Sequence, residues 1–207
     1  MLATILMGSI PLSGVFVVFN FAGEILAEIF PAHRNLASIV IPVAGAVGVA
    51  IVTQGADRLG RKPMLLISCA GMFLCMGLLA LYYHCHETGH WLYGFSQSTW
   101  EWAAFVALVL YMFFNQAGLG PLGAVVTTEI VPDRVRGLAM GIGCAGSGLV
   151  GTASSYSLLP LSKSIGYANI FLGYALANIA IALFVLLCLQ ETAGQSLEQI
   201  QSKRQQR

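Results

Sequence analysis

The chain has 207 residues, of which 57% are hydrophobic and only 9% are charged, and its mean hydropathy is +0.78. An ordinary soluble domain carries about 25% charged residues. This composition argues against a soluble enzyme, and the near-neutral net charge of +1 gives no indication of a nucleic-acid partner. The fold class predicted instead is an all-α polytopic membrane protein embedded in a lipid bilayer.

Six apolar segments without a charged residue fill most of the chain. Each is long enough to cross a hydrocarbon core about 30 Å thick as a helix, which takes roughly 20 residues. No water is present at that depth, so the backbone must satisfy its own hydrogen bonds, as a helix does. We therefore predict a lobe of six transmembrane helices, followed by a cytoplasmic tail at 191–207. The helices are predicted at about 1–23, 35–56, 63–83, 102–128, 138–162 and 164–190.

The positive charges are unevenly distributed between the gaps. If the segments alternate across the membrane, three gaps share one side: Asp57–Lys62, Glu129–Gly137 and the tail. They hold eight of the ten Lys and Arg residues, namely Arg58, Arg61, Lys62, Arg134, Arg136, Lys203, Arg204 and Arg207. Lys and Arg in short loops resist translocation. We therefore expect these gaps and the C-terminus to be cytoplasmic, in a multi-pass protein of the plasma membrane.

The first and fourth segments contain residues that disturb a helix. Pro11 and Pro121 lie inside these segments, as Pro42 does in the second. Proline removes a backbone donor and clashes with the preceding turn, so each marks a kink. Irregular backbone at membrane depth is tolerated where it lines a cavity. Glu24, one turn from the outer end of the first segment, is either a functional group at depth or a side chain that reaches the interface.

One outer gap contains a cluster that could bind a metal. It reads His84-Cys85-His86 and continues to His90. Metal sites usually need better-separated pairs of ligands, so a polar solvated loop is the favoured interpretation. No metal and no cofactor are expected. The chain also lacks the motifs of an intramembrane enzyme, such as H-E-x-x-H or a nucleophile elbow.

Three cytoplasmic gaps mix acidic and basic residues at helix ends. They read D-R-L-G-R-K from Asp57, E-I-V-P-D-R-V-R-G from Glu129 and E-T-A-G-Q-S-L-E from Glu191. With Leu12-Ser13-Gly14 in the first segment and Gly120-Pro121 in the fourth, this order resembles the C-terminal half of a sugar porter of the major facilitator superfamily. The resemblance extends over Ile10–Ile200 and implies one lobe of six helices, arranged as three plus three.

The resemblance also implies roles for individual residues. In the family, an ionic cluster ties the cytoplasmic ends of the helices together and loosens when the transporter opens inward. The positions that correspond to this conformational gate are Asp57, Arg58, Arg61, Glu129, Arg136 and Glu191. Gln190 and Ala193 replace the proline and lysine of the family's tail motif, which weakens that part of the match.

The expected solute cavity departs further from the family. Ile10, Pro11 and Phe16 replace two glutamines and an asparagine whose amides bind sugar hydroxyls, and Ala124 replaces a tryptophan. Buried hydroxyls need such partners. The candidates that remain for the cavity are Ser13, Phe16, Asn20, Asn115, Gln116 and Pro121. Their polar groups either form a reduced solute site or merely hydrogen-bond between helices.

Two functional hypotheses follow. In the first, the chain is the C-terminal half of an alternating-access transporter for a small solute, a sugar or a less polar analogue, and its partner is an N-terminal six-helix lobe of the same or another chain. In the second, it is a non-transporting membrane partner or nutrient sensor derived from a transporter. Because Met1 opens directly into the first apolar segment, we expect either a fragment or a short isoform.

Overall fold

The computed structural model describes residues 2–29, 34–88, 97–131 and 133–189, and these parts of the chain are almost entirely helical. Helix α4 is the most deeply buried and packs against α5 and α7. The helices are α1 (Leu2–Leu12), α2 (Val15–Ile29), α3 (Arg34–Leu59), α4 (Arg61–Thr88), α5 (Gln97–Gln116), α6 (Leu119–Ile130) and α7 (Asp133–Cys188).

Within the described ranges, five helical stretches are long and apolar enough to cross a membrane, judged by length and composition. The first joins α1 to α2, and the fourth joins α5 to α6. The last, Arg134–Cys188, has 55 residues, far more than one crossing requires. The class of an all-helical membrane protein is thus confirmed, whereas the count of six spans remains a prediction.

Helix α7 reverses direction near its middle. Gly166 has φ of +79° and ψ of 159°, which breaks the helix. In a straight helix Leu158 and Ile170 would lie about 18 Å apart. Instead they pack in one cluster with Val17. The bend at Gly166 therefore brings both halves of α7 against the same part of α2.

The outer gap predicted at 84–101 is shorter in the structure. Helix α4 continues to Thr88 and α5 already begins at Gln97. Cys85, expected in a polar loop, is buried in the last turns of α4, whereas His84 is exposed. Glu87, also on α4, accepts a hydrogen bond at 3.1 Å from the backbone N–H of Tyr167, which begins the second half of α7. This carboxylate caps a helix N-terminus, where negative charge is favourable.

The first predicted span is broken between α1 and α2. The backbone N–H groups of Ser13 and Gly14 bond to the carbonyls of Ile10 and Pro11, so the helix tightens before it ends. Gly14 has φ of +95°, a conformation that L-residues with a side chain rarely adopt. Pro11 lies inside the last turn of α1, close to the break.

The fourth predicted span is broken between α5 and α6, at Ala117 and Gly118, which lies before the kink expected around Pro121. Pro121 is the third residue of α6. Its missing N–H is harmless there because the first N–H groups of a helix have no intrahelical partner. The helix breaks where the chain loses its helical dihedral angles at Gly118, and the proline is accommodated in the first turn that follows.

Gly14 should be the most sensitive glycine of the first span. A Cβ at this position would lie 3.0 Å from the ring of Tyr174 and 3.2 Å from the methyl group of Met76. With the left-handed backbone added, we expect Gly14→Ala to lower the free energy of unfolding in detergent by about 1–2 kcal/mol or more. Gly77→Ala on α4 is the matched control, because a Cβ at that position would meet no neighbouring atom within 4 Å. An equal loss in both variants would contradict this account of the break.

Candidate functional site

A cavity of about 350 Å³ lies beside both helix breaks. One wall comes from α1 and α2 and the other from α5 and α6. Four of the six predicted cavity residues line it, and the full lining comprises Ile10, Val15, Phe16, Phe19, Asn20, Asn115, Gln116 and Gly120. The cavity is thus mainly apolar, with three amides on its wall.

The three amides differ in how strongly they are held. Asn20 donates a hydrogen bond to the hydroxyl of Ser155 at 2.9 Å, which ties α2 to α7. Asn115 is buried and donates to the sulfur of Met72 at 3.4 Å. A thioether is only a weak acceptor. Gln116 is half-buried. Of the three amides, that of Asn20 is therefore held by the better acceptor, and that of Asn115 by a weak one.

Phe16 occupies the position at which the family resemblance leads us to expect an amide. A Cβ on Gly151 of α7 would lie 2.7 Å from its ring, so the ring packs directly against the α7 backbone. Together with the exposed Phe19, it gives the cavity an aromatic side opposite Gln116.

The two other predicted cavity residues lie elsewhere. Pro121 is half-buried in α6 and is not part of the cavity wall. Ser13 is fully buried, and its hydroxyl donates to the carbonyl of Ile10 at 2.7 Å. The structure places Ser13 at the break itself, where its backbone carbonyl accepts hydrogen bonds from Tyr111 and Asn178.

Tyr111, Asn178 and Ser68 are residues that sequence reasoning missed. All three are buried polar side chains that bond to backbone groups at the breaks. The available signal was weak, since each is a single polar residue inside a long apolar run. Such a run locates a helix but does not indicate which partner its polar residue meets.

The predicted ionic cluster is partly assembled. Arg61, at the start of α4, donates from Nε to Oε1 of Glu129 at 3.2 Å, and its second terminal nitrogen lies 3.2 Å from the same oxygen. The two side chains are only 17% and 23% exposed, so the pair is partly shielded from solvent. Arg61 also donates to the carbonyl of Ala56 at 3.1 Å, and Lys62 donates to the carbonyl of Leu186 at 2.8 Å. These contacts join the ends of α3, α4, α6 and α7.

For the other members of the predicted ionic cluster, the structure describes two side chains, those of Arg58 and Arg136. Arg58 is exposed and Arg136 is half-buried. The side chain of Asp57 and the whole of Glu191 lie outside the described residues, and so does His90 of the candidate metal cluster. Glu24 is exposed. Within the described ranges, no three His, Cys, Asp or Glu side chains gather as a metal site.

The fold matches that of solved transporter structures. The structure superimposes on the proton:xylose symporter XylE of the major facilitator superfamily, bound to 6-bromo-6-deoxy-D-glucose, with a TM-score of 0.80 and 21% identity. The match covers 97% of this chain and 42% of that one. An inward-open XylE structure from E. coli matches with the same TM-score at 23% identity, over 97% of this chain and 41% of that one. The chain therefore has the fold of a major facilitator transporter.

The sequence comparisons identify the family. The model of the sugar (and other) transporter family matches residues 1–203, and the chain belongs to that family. It is 29% identical to the probable polyol transporter 4 of Arabidopsis thaliana, over 92% of this chain and 35% of that protein. It is 28% identical to the facilitated trehalose transporter Tret1 of Bombyx mori, over 93% of this chain and 37% of that protein. The chain thus spans about a third of the length of these curated relatives.

The pair formed by Arg61 and Glu129 should contribute measurably to stability. We expect a double-mutant cycle with Arg61→Gln and Glu129→Gln to give a coupling of about 0.5–1 kcal/mol in the free energy of unfolding in detergent. A cycle with the exposed Arg58→Gln in place of Arg61→Gln is the control and should give a smaller coupling. Equal couplings in the two cycles would show that the ion pair is not specific.

Proposed function

We propose that this chain is the C-terminal six-helix lobe of a transporter that moves a small polyhydroxylated solute across a membrane by alternating access. The second lobe, with six further helices, belongs to the same or to another chain. The two lobes rock around a solute site between them, as in other transporters built from repeated halves. The proposed orientation places the C-terminus in the cytoplasm of a cell whose plasma membrane holds the protein.

The observation that carries this proposal is the cavity at the two helix breaks. Unwound backbone at membrane depth is tolerated where it lines a cavity or is buried in protein. Here both breaks border one cavity that also contains the amides of Asn20, Asn115 and Gln116. An amide can donate and accept, so these three groups can replace several waters around the hydroxyls of a solute.

The printed names of the relatives support a polyhydroxylated solute as the proposed class. They include a D-xylose-proton symporter-like protein from Arabidopsis thaliana, 32% identical over 75% of this chain, besides the polyol and trehalose transporters. The apolar lining by Ile10, Phe16 and Phe19 favours a solute with fewer exposed hydroxyls than a hexose, or a sugar held mainly by the other lobe.

The Arg61–Glu129 pair supports a conformational role for the cytoplasmic charges. It joins the start of α4 to the end of α6 at 3.2 Å, next to the contact between Lys62 and Leu186. Contacts at helix ends can form in one state of the lobe and break in another. We propose that they stabilise the state in which the cytoplasmic side is closed.

A second function has one observation in its favour. The lining of the cavity is mostly apolar, and Asn115 already donates to a methionine sulfur rather than to a polar partner. A protein that senses a nutrient, or that only partners another membrane protein, does not need to release a solute. Binding without uptake would support this alternative.

Uptake into liposomes separates the two functions. The protein is purified as it is expressed, with any chain that copurifies, and uptake of labelled D-xylose, trehalose and a polyol is measured. We expect Gln116→Leu to reduce uptake of the preferred solute by about tenfold, because one or two hydrogen bonds of about 1 kcal/mol each are lost. Gln54→Leu on the exposed face of α3 is the control and should have no effect.

The reverse experiment restores the missing amides. Ile10→Gln together with Phe16→Asn should increase glucose uptake, because two amides, each with an NH2 donor group and a carbonyl acceptor, return to the cavity wall. If the unmodified protein already transports glucose well and the double substitution changes nothing, the solute site lies elsewhere. If no solute is taken up but binding is retained, the sensor hypothesis is favoured.

A further inference from the structure

The backbone carbonyl of Ser13, between α1 and α2, accepts hydrogen bonds from α5 and α7. The hydroxyl of Tyr111 on α5 donates to it at 3.0 Å, and Nδ2 of Asn178 on α7 donates to it at 3.2 Å. The three residues are at most 1% exposed. In this dry surrounding, hydrogen bonds are electrostatically stronger than in water.

This carbonyl lies at the break itself. Ser13 is followed by Gly14, whose φ of +95° ends the helical path, and α2 begins one residue later. Carbonyls at the end of a helix lack intrahelical partners and must be satisfied by other groups. Two side-chain donors from separate helices meet that need here.

The buried side chain of Asn178 forms its hydrogen bonds through its amide nitrogen. Its Nδ2 serves two acceptors, the carbonyl of Ser13 at 3.2 Å and that of Tyr174 at 2.8 Å. Its Oδ1 is buried and has no hydrogen-bond partner among the described residues. A buried acceptor without a partner is costly. The favourable contribution of this side chain therefore comes from the two bonds that it donates.

The other break is held in a different way. The hydroxyl of Ser68 on α4 donates to the carbonyl of Phe114 at 2.7 Å and accepts from the N–H of Leu119 at 3.1 Å. One side chain thus supplies a partner to a carbonyl before the α5–α6 break and to an N–H group after it. Gly118 lets the backbone approach so closely, since a Cβ there would lie 2.3 Å from that of Ser68. At the α5–α6 break one hydroxyl contacts groups on both sides, whereas at the Ser13 break two donors from other helices converge on one backbone carbonyl.

We propose that Tyr111 and Asn178 are positioning residues that set the angle between α1 and α2 through the carbonyl of Ser13. This proposal rests on the transport function proposed above. Ile10 precedes the break, whereas Phe16, Phe19 and Asn20 follow it, and all four line the cavity. A change in the angle therefore moves one part of the cavity wall relative to the other. The two donors hold this wall in the geometry that the solute meets.

The angle can be measured directly with spin labels. Labels at Ile5 on α1 and Glu24 on α2, both exposed, report the distance across the break in lipid nanodiscs. A tilt of about 15° in a half-helix of ten residues moves its end by about 4 Å. We expect Tyr111→Phe and Asn178→Leu each to shift or broaden the distance distribution by a few ångströms on this scale.

Two control variants distinguish a positioning role of Tyr111 and Asn178 from a general loss of folded structure. Tyr83→Phe removes a hydroxyl from an equally buried tyrosine of α4 that stacks on Phe171, and it should leave the distribution unchanged. Asn178→Gln keeps the donor and should restore part of the parental distribution. If Tyr111→Phe and Asn178→Leu give the parental distribution, the positioning role is wrong.

Uptake measured on the same variants distinguishes this proposal from the proposed function. If the variants shift the distance distribution but the parent protein transports no solute, the positioning role is supported and transport is contradicted. If the variants leave the distribution unchanged and the parent transports normally, the positioning role alone is contradicted. When both hold, Tyr111→Phe should change the KM for the solute, because the cavity wall has moved.

Discussion

The fold depends on how backbone groups are satisfied where two helices break in an apolar environment. A continuous helix satisfies itself, but the breaks after Ser13 and Gln116 leave carbonyls and N–H groups without intrahelical partners. Side chains from other helices supply these partners: Tyr111 and Asn178 at the first break and Ser68 at the second. The helices that donate them are therefore fixed against the breaks, and the cavity between the breaks acquires a defined wall.

The chemistry of the cavity follows from the same arrangement. Breaking the helices turns short stretches of backbone and their neighbours toward a shared space, where Asn20 and Gln116 lie among aromatic and aliphatic side chains. A purely apolar wall would offer nothing to a hydroxylated solute, whereas a fully polar wall would bind a hexose tightly. The cavity wall instead combines three amides with aromatic and aliphatic side chains.

Much of this could be predicted from the sequence, because long uncharged runs and the positions of the charges are local properties. The apolar helices and the pairing of Arg61 with Glu129 follow from motifs, and Asn20 and Gln116 were expected at the cavity. A change of direction was predicted at Lys163, between the fifth and sixth segments, and the structure places the non-helical residue three positions later, at Gly166. Gly166 stands alone between Gly151 and Gly173, and a single glycine in an apolar sequence does not reveal which backbone conformation it adopts.

The sequence could not predict hydrogen bonds between residues that lie far apart along the chain. The sequence left open whether Ser13 contributes to a solute site or to hydrogen bonds between helices. In the structure its hydroxyl donates to the carbonyl of Ile10, and its own carbonyl accepts from two other helices. Its donors come from α5 and α7, and which polar residue of an apolar run reaches it depends on how the helices pack. Periodicity and propensity carry no information about such distant pairs.

The most direct test of the account is whether the cavity at the breaks is open to water and to solute. Gln116→Cys, in a background with the native cysteines replaced, is treated in membranes with a small hydrophilic thiol reagent, and Leu74→Cys on the exposed apolar face of α4 serves as the reference. We predict rapid labelling at position 116, slow labelling at position 74, and protection of position 116 by the transported solute. Equal, slow labelling at both positions, unaffected by solute, would contradict the account.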